Sequence, residues 1–306
     1  MIWGLRLSAA VETLLEGRKG LLMRIELHSE SIRARRAVLG FGGWSDAAGT
    51  IEAALAELRS LIPCELVATW DLDGYWHVGS MRPIVQIRHG QIQGLDWPAY
   101  HFLIARPASG EPFIVGYGPE PALHWRRFTD ELLQLLKGWG CEELVLLGSL
   151  YDQIFHDEIV ISAIVQDPGG YNRAMDLGCQ QIDYAGPGAV HSAIMETTRA
   201  SAYPCLGLWT HLPFYLETPH ELLMARCIEM VGNLMDLDLH PLHLIERWRD
   251  REREIDDLVS SNQQLRQSID DMRKRRDRGE GGDGRKIVRM HDFLKKKHDE
   301  PPDQGA

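Results

Sequence analysis

At 306 residues and 44% apolar content, the chain can form one large domain with an appendage, or two domains, around a substantial core. Its net charge of −11 argues against a nucleic-acid or anionic-membrane surface on the body, because that charge repels phosphates. The five cysteines (Cys64, Cys141, Cys179, Cys205 and Cys227) are scattered, and no two sit at CxxC spacing. Neither a disulfide framework nor a zinc site is indicated, so a reducing, cytoplasmic setting is expected.

No stretch approaches the roughly 18 uninterrupted apolar residues of a membrane helix. Residues 1–24 read as an N-terminal extension, with Arg6 and Glu12 inside what would be the apolar part of a signal peptide. Translation from Met23, just ahead of a strand around Ile25 and Leu27, is an alternative start.

From residue 37 to about 237 strand-like and helix-like runs alternate, within a domain read as residues 25–243. A strand over 37–41 enters the run Gly40-Phe41-Gly42-Gly43-Trp44-Ser45-Asp46-Ala47. A helix leaves it, with Ala48, Ile51, Leu55, Leu58 and Ile62 at three- and four-residue steps. Short strands follow over 66–70, then a hairpin over 83–88 and 91–95 around His89-Gly90, then strands over 101–105 and 113–117. Residues 126–139 read as a helix burying Phe128, Leu132, Leu135, Leu136 and Trp139, and 144–147 as a buried strand. A strand over 159–165 closes in a turn at Asp167-Pro168-Gly169-Gly170. A helix over 189–200 and a strand over 205–209 come next. Thr218, Pro219 and Glu221 then form a capping box ahead of a helix burying Leu223, Cys227, Met230, Val231 and Leu234. Such alternation predicts an α/β domain, a mostly parallel or mixed sheet covered by helices.

Residues 244–278 hold ten basic and nine acidic side chains with no glycine or proline. Ile255, Asn262 and Ile269 recur every seven residues, as do Leu258, Leu265 and Met272. This is a short heptad seam, for a helix that pairs between subunits as a coiled coil or folds back on its own domain. Residues 279–306 read as a disordered tail, with a basic stretch (Ile287, Met290 and Leu294 at helical spacing) suited to docking or to plain solvation.

Three chemistries compete for the glycine turn. Ser45 lies in a strand–turn–helix like a nucleophile elbow, although Ala47 stands where that pattern has glycine. His156 or His211 would be its base and Asp152 or Asp157 the orienter; alternatively Ser45 or Asp46 caps the following helix. The backbone N–H groups after Gly42 and Gly43 suit an anion, helped by Arg126 and Arg127, unless Glu120 answers those arginines. Metal binding would need His240 and His243 beside Asp236 and Asp238, which Pro241 interrupts, and we assign no metal and no cofactor. Trp44, Trp97, Trp125, Tyr151, Tyr184, Trp209, His211 and Tyr215 gather around the turns, as in a ligand pocket or a subunit interface.

Gly42-Gly43-Trp44-Ser45-Asp46-Ala47, Gly116-Tyr117-Gly118-Pro119-Glu120-Pro121 with Trp125-Arg126-Arg127-Phe128, Tyr184-Ala185-Gly186-Pro187, and Leu208-Trp209-Thr210-His211-Leu212-Pro213-Phe214-Tyr215 occur in this order. Together they resemble the bacterial branch of the proteasome assembly chaperone 2 family, over about residues 25–260. The resemblance implies a three-layer α/β/α domain similar to purine nucleoside phosphorylases, a helical C-terminal extension, homotrimers, and no established catalytic activity. It implies action through protein–protein contacts on an unidentified protein client. The candidate pocket or interface is then Gly42, Gly43, Trp44, Ser45, Asp46, Glu120, Arg126, Tyr184, Trp209, His211 and Tyr215. The alternative is a phosphorylase- or hydrolase-like enzyme of small molecules at the same turn. Two features depart from the family. His156-Asp157-Glu158-Ile159 replaces a His-Thr-Arg-Pro turn, and Asp303-Gln304-Gly305-Ala306 replaces the hydrophobic–tyrosine ending of relatives that grip the proteasome ring.

Overall fold

The computed structural model describes residues 24–277. Expectations for the extension before residue 24, the start at Met23 and the tail after residue 278 lie outside them. The strands are β1 (Arg24–Leu27), β2 (Arg36–Gly42), β3 (Cys64–Asp71), β4 (Ile84–Arg88), β5 (Gln91–Asp96), β6 (Ala99–Ala105), β7 (Phe113–Pro119), β8 (Glu143–Asp152), β9 (Ile161–Ile164) and β10 (Cys205–Pro213). The helices are α1 (Thr50–Leu61), α2 (Trp125–Gly138), α3 (Pro168–Asp176), α4 (Val190–Ala200), α5 (Glu221–Leu234), α6 (Leu242–Ser261) and α7 (Gln263–Asp277).

One eight-stranded sheet runs β1-β3-β6-β7-β2-β8-β10-β9, and β4 and β5 form a hairpin of their own. The central strands β7, β2, β8 and β10 are parallel, while β1, β3 and β6 on one side and β9 on the other pair antiparallel. Central β2 has no polar alternation because both its faces are covered. Ala37, Leu39 and Phe41 pack with Phe128, Leu132 and Leu136 of α2 and with Val190 and Ile194 of α4. Val38 belongs to the opposite core, with Ile51, Leu55 and Leu58 of α1 and Met224, Ile228 and Val231 of α5. Helices therefore cover both faces of the sheet, the three-layer arrangement expected.

Three local readings change. The predicted turn at 167–170 is the start of α3, where Asp167 Oδ1 accepts from Gly170 N at 2.9 Å as an N-cap. The capping box at Thr218 does not form, because α5 begins after His220, whose ring Nδ1 takes the N–H of Leu223. Thr218 instead accepts from Arg251 of α6. Finally, the charged segment is two helices, α6 and α7, over 242–277 rather than one. Asn262 has φ −98° and ψ 98°, and its Oδ1 caps α7 by accepting from Leu265 N at 3.0 Å. Asp256 and Arg273 both reach the Phe155–His156 pair, so α7 doubles back along α6. Ile255 and Ile269 of the heptad seam are buried inside this arrangement. The asparagine breaks the helix at the position where a continuous seam would have buried it, and within this chain the two helices pack back against the domain.

Candidate functional site

The chain leaves β2 toward β3 and leaves β8 toward β10, on opposite sides of the sheet. Open α/β sheets commonly bind ligands in the gap between two such strand ends. Here the gap is filled by the glycine turn itself. Gly43 has φ +101°, and a Cβ on Gly42 would stand 2.6 Å from the Tyr117 hydroxyl, so this tight reversal requires glycine. It delivers Asp46 to the start of α1.

The buried Asp46 carboxylate accepts from Ile51 N (2.7 Å), Glu52 N (3.1 Å), Ser149 Oγ (2.9 Å) and Tyr117 OH (3.1 Å). Two of these are the N–H groups an external anion would have used. The anion site is thus occupied by the chain's own carboxylate, and of the two candidate caps it is Asp46 that serves. Ser45 is fully buried, its Oγ donates to Phe41 O at 3.1 Å, and its carbonyl accepts from Ser149 N at 2.9 Å. Among the described residues no histidine is its partner, and the geometry does not support the nucleophile-elbow reading.

Glu120 does not answer the arginines. Its carboxylate takes Val190 N at 2.7 Å and caps α4, while burial raises its pKa above the usual carboxylate value. Arg127 pairs with Glu131 on its own helix at 2.8 Å, and Glu131 also accepts from Tyr75 OH. Arg126 is exposed, and no ion pair joins it to Glu120 among the described residues. The adjacent arginines looked like an anion clamp because the sequence does not show that a helix 70 positions away claims Glu120.

The predicted aromatic group does not stay together. Trp44, Tyr151 and Tyr184 lie exposed (48%, 37% and 54%). Trp44 belongs to the turn, Tyr151 OH accepts a backbone hydrogen bond from Ala48, and Tyr184 OH donates to Pro187 O beside the start of α4. Trp209 is buried against Gly148 and the His191 ring. Trp97 stands with Trp76 at the base of the β4–β5 hairpin, and Trp125 Nε1 donates to Pro121 O.

Histidines gather at the carboxyl ends of β8 and β10, just beyond the residues that hold the turn. His211 Nδ1 meets Asp152 Oδ2 at 2.7 Å and its Nε2 meets Ser162 Oγ at 2.8 Å. The connectivity is that of a catalytic triad, with Ser162, which sequence reasoning missed, in place of Ser45. Ser162 is fully buried and His211 nearly so, and the relay ties edge strand β9 to β10 where no substrate reaches it. His156 bonds Tyr215 OH through Nδ1 (2.8 Å) and Asp256 of α6 through Nε2 (3.0 Å). His220 donates from Nε2 to His156 O and stacks on Trp248 of α6, ring centroids 3.8 Å apart. Burial lowers its pKa to about 4, consistent with a neutral ring whose Nδ1 must stay bare to cap α5. His191 is likewise lowered to about 4 by burial. A cavity of about 390 Å³ lies between the His156 loop and the α6–α7 pair, lined among others by Asp256, Arg266, Asp270 and Arg273.

Metal ligation at 236–243 dissolves into separate pairs: Arg36–Asp236, His240–Asp238 and His243–Glu57. Among the described residues no cluster of three or more metal-ligating side chains occurs, and no helix is long and apolar enough to cross a membrane. Burial pushes the Cys141, Cys205 and Cys227 thiols up to about 12, which disfavours the reactive thiolate.

The model of the PAC2 family matches residues 40–259, which include the glycine turn, the Asp46 network and the histidine end. The chain belongs to the PAC2 family. A PAC2 family protein from Streptomyces avermitilis is 26% identical, with 78% of this chain and 98% of that one covered at TM-score 0.66. The proteasome-assembly chaperone homologue Rv2125 of Mycobacterium tuberculosis superposes at TM-score 0.70, 24% identical, covering 76% of this chain and 99% of its own. PbaB of Pyrococcus furiosus, an archaeal proteasome activator, matches at TM-score 0.62 and 12% identity, over 77% of this chain and 98% of its own. None of the curated proteins compared matches the chain.

Proposed function

We propose that this PAC2 protein is a non-catalytic, cytoplasmic, self-associating protein, a homotrimer, that acts on a protein client through surface contacts. One observation carries the reading. The sheet end where an α/β enzyme would hold a small molecule is filled by Ser45, Asp46 and Ser149, while Trp44, Tyr151 and Tyr184 stand exposed around it. Aromatic side chains with polar tips are enriched at protein interfaces and supply contact area at low entropic cost. The names of Rv2125 and PbaB support a client that is itself a protein assembly. The small-molecule enzyme has less support, because the turn's nucleophile and anion site are both used internally.

Native mass spectrometry of the protein purified gently from its own host tests this. A trimer carrying a defined protein, with that protein lost in Trp44→Ala/Tyr184→Ala, is the expected result. A trimer holding a small molecule instead would move the assignment to a pocket, and a monomer at micromolar concentration would end the self-association reading.

A further inference from the structure

The connections that meet at the carboxyl ends of the central strands share one property of charge. Residues 42–52, 117–125, 148–160, 177–190 and 209–222 together hold nine acidic side chains and no lysine or arginine. Of the nine, Glu52, Asp157, Asp183 and Glu217 are exposed, and these have no ion pair among the described residues. Helices bring basic groups to the same end, but those are largely matched. Arg127 pairs with Glu131 and Arg251 with Glu221, while Arg266 and Arg273 line the cavity beside His156 together with Asp256 and Asp270. Arg126 stays exposed, and the excess is negative.

The exposed aromatic rings stand in this field. Burial first, and the charges of Glu217 and Asp46 after it, raise the pKa of the Tyr151 hydroxyl. Asp183 directly precedes Tyr184. A ring face beside a carboxylate suits a cationic side chain, which gains cation–π and ion-pair contacts together.

The chain carries a segment of that chemistry. Residues 285–297 hold six lysines and arginines against the single Asp292, with Ile287, Met290 and Leu294 at helical spacing. Acidic residues resume on either side at Asp283 and Asp299, so the positive charge is concentrated in this block. Where the described chain ends says what the block can reach. Arg273 lies 4.8 Å from the Phe155 ring centroid, and α7 ends shortly after, at Asp277. The eight residues from there to Arg285 span up to about 25–30 Å. The four parallel strands β7, β2, β8 and β10 are together only about 15 Å across.

We propose that residues 285–297 dock on the acidic, aromatic surface around Trp44, Tyr151 and Tyr184 of their own chain and hold it until a client displaces them. The inference rests on the client reading above and adds the regulation of that surface. A tethered segment meets its surface at a roughly millimolar effective concentration, so a weak contact is enough to fill it. A client enters only by binding more tightly than the tail.

Hydrogen exchange and carbodiimide cross-linking of the full chain test this, because both read the tail without a client. In dilute salt, exchange across 285–297 should be slowed by about 10-fold or more relative to an open chain. Cross-links should join Lys286, Lys295, Lys296 or Lys297 to Asp183 or Glu217 within one chain. Both signals should vanish in Trp44→Ala/Tyr184→Ala, and at about 0.5 M salt, where charges are screened within a few ångströms. Should the aromatic variant melt early, Arg285→Gln/Arg289→Gln replaces it, since those residues lie outside the folded body and leave the cross-linking lysines in place. Unslowed exchange in the wild type, or cross-links unchanged in a folded variant, overturns the tail assignment and leaves the client reading to its own test. Cross-links that join labelled to unlabelled chains in an isotopic mixture overturn docking on the same chain in favour of a second copy. Docking seen here, with no protein bound in the native mass spectra, removes the client and keeps the docking.

Discussion

The turn after β2 and the β4–β5 hairpin are both short reversals that depend on glycine, and they end in opposite states. At the first, Asp46 is drawn into the fold and meets four donors from the backbone of α1, from β7 and from β8. At the second, Ile87 and Ile92 meet solvent. A buried carboxylate must be fully paired or its desolvation is uncompensated, so the turn's chemistry is spent inside the molecule. An open apolar face has the reverse logic, since its stabilisation is realised only against another surface. The difference separates a region built for folding from one available for recognition.

The largest way to break the comparison is at the turn. Asp46→Ala should destabilise the folded chain by about 3 kcal/mol or more, since it strips partners from four buried or half-buried donors. A shift of the urea midpoint corresponding to less than about 1 kcal/mol would mean that water replaces the carboxylate and that the site is open after all.

Acidification comes next. His191 and His220 take up a proton near pH 4 when folded, against about 6.5 for an ordinary histidine. Between those values the unfolded chain holds more protons, so stability rises with pH there. Their contribution is complete above about pH 6.5 and is lost as the pH falls toward 4, roughly 3 kcal/mol apiece. Urea unfolding at pH 7 and pH 4.5 reads this directly. In His220→Gln the pH dependence should shrink, while a parallel pair of curves would remove His220 from the account.

A smaller effect is expected at the break between α6 and α7. Asn262→Ala removes the cap on Leu265 N and should cost about 1 kcal/mol, seen as faster limited proteolysis within residues 262–277 and an unchanged core. The smallest belongs to the hairpin. Ile92→Ala should leave the stability of the monomeric fold within about 0.5 kcal/mol, because the side chain buries so little. A larger loss would show that the hairpin face packs within its own chain, which would sharpen the contrast in the other direction.

Periodicity along the chain was enough to place α1, α2 and α5, whose buried stripes repeat at helical spacing, and to find the hairpin at His89-Gly90. The ordered motifs were enough for the family. Local chemistry misled where two readings were equally short in range. Thr218-Pro219-Glu221 satisfies a capping pattern, yet His220 takes the cap because its ring is held by His156 and Trp248, neither of them a near neighbour in the chain. The heptad spacing of Ile255 and Ile269 was legible, whereas the partner they bury against was not.

Composition and spacing therefore determined that this is an α/β chain with an acidic body, a glycine turn feeding a helix, and a charged helical end. Those properties depend on neighbours within about one helical turn or one hairpin, where side-chain spacing and backbone geometry decide the outcome. Tertiary structure alone decided that Asp46 rather than Ser45 is the residue of consequence, that Glu120 serves α4, that Ser162 completes the His211 relay, and that a one-residue bulge brings Ile92 and Leu95 onto the same face. Each of these turns on which strand lies beside which, and that is set by burial of the whole core rather than by any local preference.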